Sequence, residues 1–136
     1  MTSEGARPGS RGVTKLSRKP VRGGDGARLT IRLDFGERGA LGPGKIRLLE
    51  MIEETGSISA AGRAMAMSYR RAWILVDSLN TMYQAPVVET QHGGQRGGGA
   101  RLTLLGKALV ARYRAIEAGA EAAMRADIKA IERELA

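Results

Sequence analysis

The chain has 136 residues, with 22 Lys+Arg against 14 Asp+Glu and a formal net charge of +8, a balance that favours a polyanionic partner. Its length suits one domain with a modest core and argues against two. Cysteine is absent and histidine occurs once, at His92, which removes disulfides, thiolate zinc sites and thiol nucleophiles and leaves little for metal or acid–base chemistry.

Residues 1–27 are rich in Gly, Ser, Pro and Arg, and set Arg7, Arg11, Lys15, Arg18, Lys19 and Arg22 against Glu4 and Asp25. They read as a disordered basic arm, either contacting phosphates or merely keeping the chain in solution. No charged-then-apolar start resembles a secretion signal, and no run of about 18 apolar residues offers a membrane span. A cytoplasmic protein with no membrane partner is expected.

Residues 28–35, RLTIRLDF, alternate Leu29, Ile31, Leu33 and Phe35 with Thr30, Arg32 and Asp34, the period of a half-buried strand. After the turn-forming GERGALGPG, the segment KIRLLEMIEETG places Ile46, Leu48, Leu49 and Ile52 on one side of a helix ending at Gly56. Ser57 caps a short helix, SISAAGRAMA, whose Ile58, Ala61 and Met65 form the packed stripe, while Ala60, Gly62 and Ala64 let a neighbour approach closely. Ser68 caps a third helix to about Tyr83, with inner residues Ala72, Leu75, Val76, Leu79 and Met82. Arg70, Arg71, Ile74, Asp77 and Thr81 fall outside that stripe.

VVET at 87–90 and RLT at 101–103 read as a hairpin, with HGGQRGGGA as a flexible cationic tip. Thr103 caps a final helix over about 104–134, in which Leu105, Leu109, Tyr113, Ile116, Ala120, Ala123, Ile128, Ile131 and Leu135 recur at mostly helical spacing. So long a stripe outruns the domain. Its outer half must fray or find an apolar partner, for which a second copy of the chain is the simplest choice. Leu109, Tyr113, Ile116, Ala120, Ala123 and Ile131 are the candidate dimer contacts.

The run GALGPGK from Gly39 to Lys45 imitates a phosphate-cradling loop. Pro43 removes one of the backbone donors such a loop needs, and Ile46 stands where a magnesium-binding hydroxyl would be required. It is a turn ahead of the first helix.

Helix, tight turn, small-residue helix, cation-started helix and Gly-rich hairpin together make a mainly α fold with a small β-sheet, in the order of a winged helix-turn-helix. In that arrangement the third helix lies in the major groove of double-stranded DNA with its N-terminal residues at base edges. Ser57, Ser68, Tyr69, Arg70, Arg71 and Ile74 become candidate DNA contacts: arginine can grip guanine with two hydrogen bonds, and Ile74 can meet a thymine methyl. In the wing, Gln95, Arg96 and Arg101 join them, with Arg96 placed for a phosphate or the minor groove. The plain alternative for Arg70 and Arg71 is a solvated helix face, and Trp73 reads as packing. A different class of function, a winged-helix module docking a partner protein without sequence-specific DNA binding, is motivated by exposed Ile74. Aromatic residues make up only 4% of the chain, too few to favour RNA, and no catalytic constellation can be assembled.

The blocks GSISAAGRAMAMSYRRAW from Gly56 and VVETQHGGQRGGGARLTLLG from Val87 strongly resemble the N-terminal DNA-binding domain of the molybdate-responsive transcriptional regulator (ModE) family, over about residues 28–118. The resemblance implies a winged-helix dimer, and the helix-turn-helix, wing, basic excess and long last helix together lead to the expectation of a homodimeric, sequence-specific transcriptional regulator, most simply a repressor. It also implies that the strand near Leu29 to Phe35 joins the wing sheet and that the last helix contributes to dimerisation. Full-length members bind molybdate in a separate C-terminal β-barrel, for which this chain has neither length nor sequence. Molybdate therefore enters through the resemblance alone, and no other cofactor is expected.

Overall fold

The computed structural model describes residues 26–91 and 99–136. The order is β1 (Leu33–Asp34), a 3-10 turn (Gly36–Arg38), β2 (Ala40–Leu41), α1 (Pro43–Thr55), α2 (Ile58–Ala64), α3 (Tyr69–Met82), β3 (Val88–Gln91), β4 (Gly99–Leu102), α4 (Leu104–Ala123) and α5 (Arg125–Glu132). The architecture is mainly α, with two small antiparallel sheets.

Helix α1 starts with Pro43 in its first turn and stops at Gly56, whose φ of 75° is left-handed and whose N–H returns to the Ile52 carbonyl. Ile46, Leu48, Leu49, Met51 and Ile52 are buried along it, making α1 the centre of the core. Ser57, Ser68 and Thr103 each accept a hydrogen bond three residues on, from Ala60, Arg71 and Gly106, and so start α2, α3 and α4. Each such cap stabilises its helix by about 1 kcal/mol. The α2–α3 turn holds Ala66 at φ 57°, and α2 meets α3 so closely that a Cβ on Gly62 would stand 3.1 Å from that of Ala72.

The hairpin β3–β4 pairs Val88 with Leu102 and Gln91 with Gly99 at its two ends. It is seated on α1: the Ala100 N–H donates to the Gly56 carbonyl at 2.9 Å, and the Leu102 N–H to Glu53 at 3.3 Å. Beneath it, Gly106 packs so closely that any side chain there would collide with the Val87 carbonyl oxygen.

Two expectations need correction. Residues 28–35 do not form a full strand and do not join the wing sheet: Leu33 and Asp34 alone are paired, with Leu41 and Ala40, in a separate sheet. The alternation is nevertheless real, since Leu29, Ile31 and Leu33 are half-buried and Thr30, Arg32 and Asp34 exposed. An extended segment laid against helices shows the same period of two as one laid in a sheet. The final helix is also not one rod. It breaks at Met124, whose φ of −102° and ψ of 9° lie outside helical values, and α5 continues beyond to bring Glu132 against the Ala27 N–H at 2.7 Å.

Candidate nucleic-acid interface

The N-terminal turn of α3 stands clear of the core. Ser68, Tyr69, Arg70 and Arg71 are exposed, while Ala72, Val76 and Leu79 on the opposite side of the helix are buried. Arg70 heads an exposed row continued by Ile74, Asp77 and Thr81 at helical spacing. Within this row Ile74 keeps 48% of its surface exposed, although an isoleucine gains about 1.5–3 kcal/mol from full burial. Tyr69 meets Trp73 edge to face with ring centroids 6.2 Å apart. Trp73 packs against the core, its indole N–H enclosed without a hydrogen-bond partner among the described residues.

The hydroxyls of Ser57 and Ser68 cap α2 and α3, fixing where those helices begin. Arg101 lies on β4 and pairs with Glu89 across the hairpin at 3.2 Å, both side chains more than half exposed. Solvent screening leaves such a pair little strength, so Arg101 can exchange its partner. His92, Gln95 and Arg96 lie outside the described residues, as does nearly all of the basic arm.

The candidate dimer residues part company. Tyr113 is 1% exposed within the chain's own core, where its hydroxyl donates to the Ile31 carbonyl. It therefore has almost no surface left to give a second copy, because the chain at Ile31 closes over it. Leu109 packs partly against the same core. Ile116 is 44% and Ile131 72% exposed, Ala123 is exposed and Ala120 half-buried. Met124, 46%, and Leu135, 72% exposed, extend the row.

Two elements of the site escaped the sequence reading. Asn80, on α3, accepts from the N–H groups of Val87 and Val88 at 2.7 and 3.0 Å and donates to the Val88 carbonyl at 3.2 Å, tying the start of the hairpin to the helix. Lys45, dismissed with the imitation phosphate loop, donates to the Ala40 carbonyl at 2.8 Å. Burial first, then the charges of Arg32 and Arg71, pull its ammonium below the ordinary value. A single polar residue in a helix carries no periodic signal, so neither was legible.

Among the described residues no helix is long and apolar enough to cross a membrane, and no group of three His, Asp or Glu side chains is placed to hold a metal ion. No protein-family model matches the chain. Curated relatives do. The chain is 46% identical over 98 residues to the molybdenum-pterin-binding protein MopB of Rhodobacter capsulatus, covering 71% of this chain and 36% of that protein. It is 43% identical over 91 residues to the molybdenum transport protein ModE of Azotobacter vinelandii, 67% of this chain and 33% of that one. To the DNA-binding transcriptional dual regulator ModE of Escherichia coli (strain K12) it is 33% identical over 87 residues, 64% and 33% of the two chains. None of these three names is that of an enzyme. The chain spans about a third of the length of these relatives, and through that segment it is related to the ModE-type molybdenum regulators.

Proposed function

We propose that the chain is a sequence-specific DNA-binding transcriptional regulator, most simply a repressor, that works as a homodimer of winged helix-turn-helix units. The observation that carries the reading is the exposed row on α3 headed by Arg70. It offers a guanidinium and an apolar side chain, Ile74, along one face of a rigid helix, with the interior held by α1 and α2 behind it. Arg70 and Ile74 read base edges in the major groove. The β3–β4 hairpin is the wing, with Arg101 reaching the flanking backbone or minor groove; Gln95 and Arg96, outside the described residues, are candidates for the same contacts by sequence alone. The name of the Escherichia coli relative supports a regulator, and the charge of +8 suits the partner. Ile116, Met124, Ile131 and Leu135 supply an apolar face for a second copy. The reading assigns no molybdate site to these residues.

The test is binding of the full chain to the DNA upstream of its own coding region and to a scrambled duplex of equal composition, across several salt concentrations. A preference of at least ~10³ for the former is expected. Equal affinity for both removes the sequence-specific reading and leaves the alternative of a protein-docking module, for which exposed Tyr69 and Ile74 would supply the contact.

A further inference from the structure

Among the described residues, Trp73 holds the one enclosed side-chain donor that has no acceptor: its indole N–H is shut away while the ring packs against the core. A leucine or phenylalanine would fill core space without that loss. What the indole adds is breadth. Side chains of an α-helix lean toward its N-terminus, so that of residue 73 lies over the turn that begins with residue 69. There the Tyr69 ring meets it edge to face, with centroids 6.2 Å apart and planes at 69°. Trp73 thus joins the core to an exposed neighbour.

Tyr69 is the first residue of α3, and 61% of its surface is uncovered. Its side chain leans toward the start of the helix, the end that the DNA-binding reading sets into the major groove. The hydroxyl makes no hydrogen bond to a described residue. The ring is therefore steadied by Trp73 while its polar end is left to solvent, and a side chain already steadied loses less freedom when it meets a ligand. Tyr69 also stands about 100° around α3 from Arg70, on the side that leads through Trp73 to the core. In the proposed docking the outermost row, Arg70 and Ile74, faces the groove floor. A side chain set aside from that row meets the groove wall, which is phosphodiester backbone.

We propose that Trp73 is a positioning residue for DNA binding: it props Tyr69 so that the phenol hydroxyl donates to one phosphodiester oxygen of the duplex, beside the groove read by Arg70 and Ile74. The inference rests on the DNA-binding reading and deepens it. Tyrosine hydroxyls are ordinary donors to DNA phosphates, and such contacts set register without reading sequence. Because the phenol is neutral, the contact neutralises no phosphate and releases no counterion, which separates it from a lysine or arginine contact.

The full chain with Tyr69→Phe, Trp73→Leu, Trp73→Phe or Tyr69→Phe combined with Trp73→Leu is titrated with the upstream and the scrambled duplex over a range of salt, with circular dichroism as the check on folding. Tyr69→Phe keeps the ring pair and removes only the hydroxyl. It weakens both duplexes alike, about 5-fold, and leaves the slope of log affinity against log salt unchanged. Trp73→Leu produces the same loss by releasing the ring, and adding Tyr69→Phe to it costs less than about 2-fold more, the non-additivity of two residues acting as one. Trp73→Phe restores an aromatic face and most of the affinity, and stands in for Trp73→Leu in the combined variant should the leucine prevent folding. A folded Tyr69→Phe chain with unchanged affinity overturns the phosphate contact and leaves the regulator reading intact. A loss confined to the upstream duplex makes the hydroxyl a base contact and overturns the phosphodiester assignment. Fully additive losses in the combined variant overturn the positioning role of Trp73. Equal wild-type affinity for both duplexes, still weakened by Tyr69→Phe, sinks the sequence-specific reading and upholds the contact. No duplex binding at all overturns both.

Discussion

The hydroxyl of Tyr113, in the middle of α4, donates to the main-chain carbonyl of Ile31, 82 positions earlier, closing the extended N-terminal segment over the helix. Burial above all, with the charge of Glu117 beside it, pushes the phenol up to about 12 from an ordinary 10.0. The folded state therefore holds the proton more tightly than the unfolded one. That contribution is whole below pH 10.0 and is lost as pH rises toward about 12. Tyr113→Phe should cost about 1 kcal/mol near neutral pH by leaving the Ile31 carbonyl without its donor. The gap between wild type and variant in urea midpoint should close above pH 10.0. A gap that stays constant across that window would detach the hydrogen bond from the titration.

Glu50 on α1 and Arg114 on α4 form a two-bond fork at 3.0 and 2.8 Å, and Arg114 reaches Glu117 at 2.7 Å as well. The Arg114 hydrogen bonds hold the Glu50 carboxyl below its ordinary 4.5, against the opposing effect of burial. A depressed carboxyl stabilises the fold above pH 4.5 and loses that contribution as pH falls through its folded value. Arg114 is 39% exposed, so screening limits Glu50→Gln to a loss of about 1 kcal/mol at neutral pH. Acid unfolding curves should draw together below pH 4.5, and an undiminished difference there would count against the fork as its source.

Asn80 supplies three hydrogen bonds to the chain entering β3, and no other described side chain donates to or accepts from Val87 and Val88 except Thr103 at the Val87 carbonyl. Asn80→Ala leaves two half-hidden N–H groups without their acceptor, a loss of about 2–3 kcal/mol. Because the hairpin hangs from this residue, hydrogen exchange at Val87 and Val88 should quicken more than exchange in α1. Uniform acceleration through both regions would show that Asn80 supports the whole domain equally and has no particular hold on the hairpin.

The parts of this molecule legible in its residues are those with a local cause. Serine and threonine caps at Ser57, Ser68 and Thr103 announce α2, α3 and α4, and the spacing of Ile46, Leu49 and Ile52 announces the buried face of α1. What an apolar row packs against is not local. Leu29, Ile31 and Leu33 alternate as a strand would, yet of the three only Leu33 is paired in a sheet, and the Ile31 carbonyl meets Tyr113 of α4 instead. Tyr113 belongs to the same periodic row as Ile116 and Ile131, yet lies in the chain's own core while they face outward. Met124 has neither proline nor glycine beside it to mark the break between α4 and α5. Lys45 was hidden for another reason: the glycines around it suggest a nucleotide loop, and only the fold shows its ammonium set against the Ala40 carbonyl and the Met82 sulfur.

The outward part of that row gives the proposed homodimer its test. Ile116, Ala120, Met124, Ile128, Ile131 and Leu135 follow one another at steps of three or four, and Ile131 and Leu135 each leave 72% of their surface uncovered. Apolar side chains so placed gain about 25 cal/mol for every Å² removed from water, and a self-complementary face satisfies both copies at once. Ile131→Asp combined with Ile116→Asp places two charges on each side of such a seam without touching the core around Tyr113. Sedimentation should then report a single chain where the wild type runs as two, with the thermal midpoint of the isolated chain's fold little changed. DNA affinity should fall by at least about 10-fold, because one helix-turn-helix unit engages only half of a two-fold site. A variant that still sediments as a pair would move the seam away from α4 and α5, and a wild type that stays single at high concentration would remove the homodimer from the reading altogether.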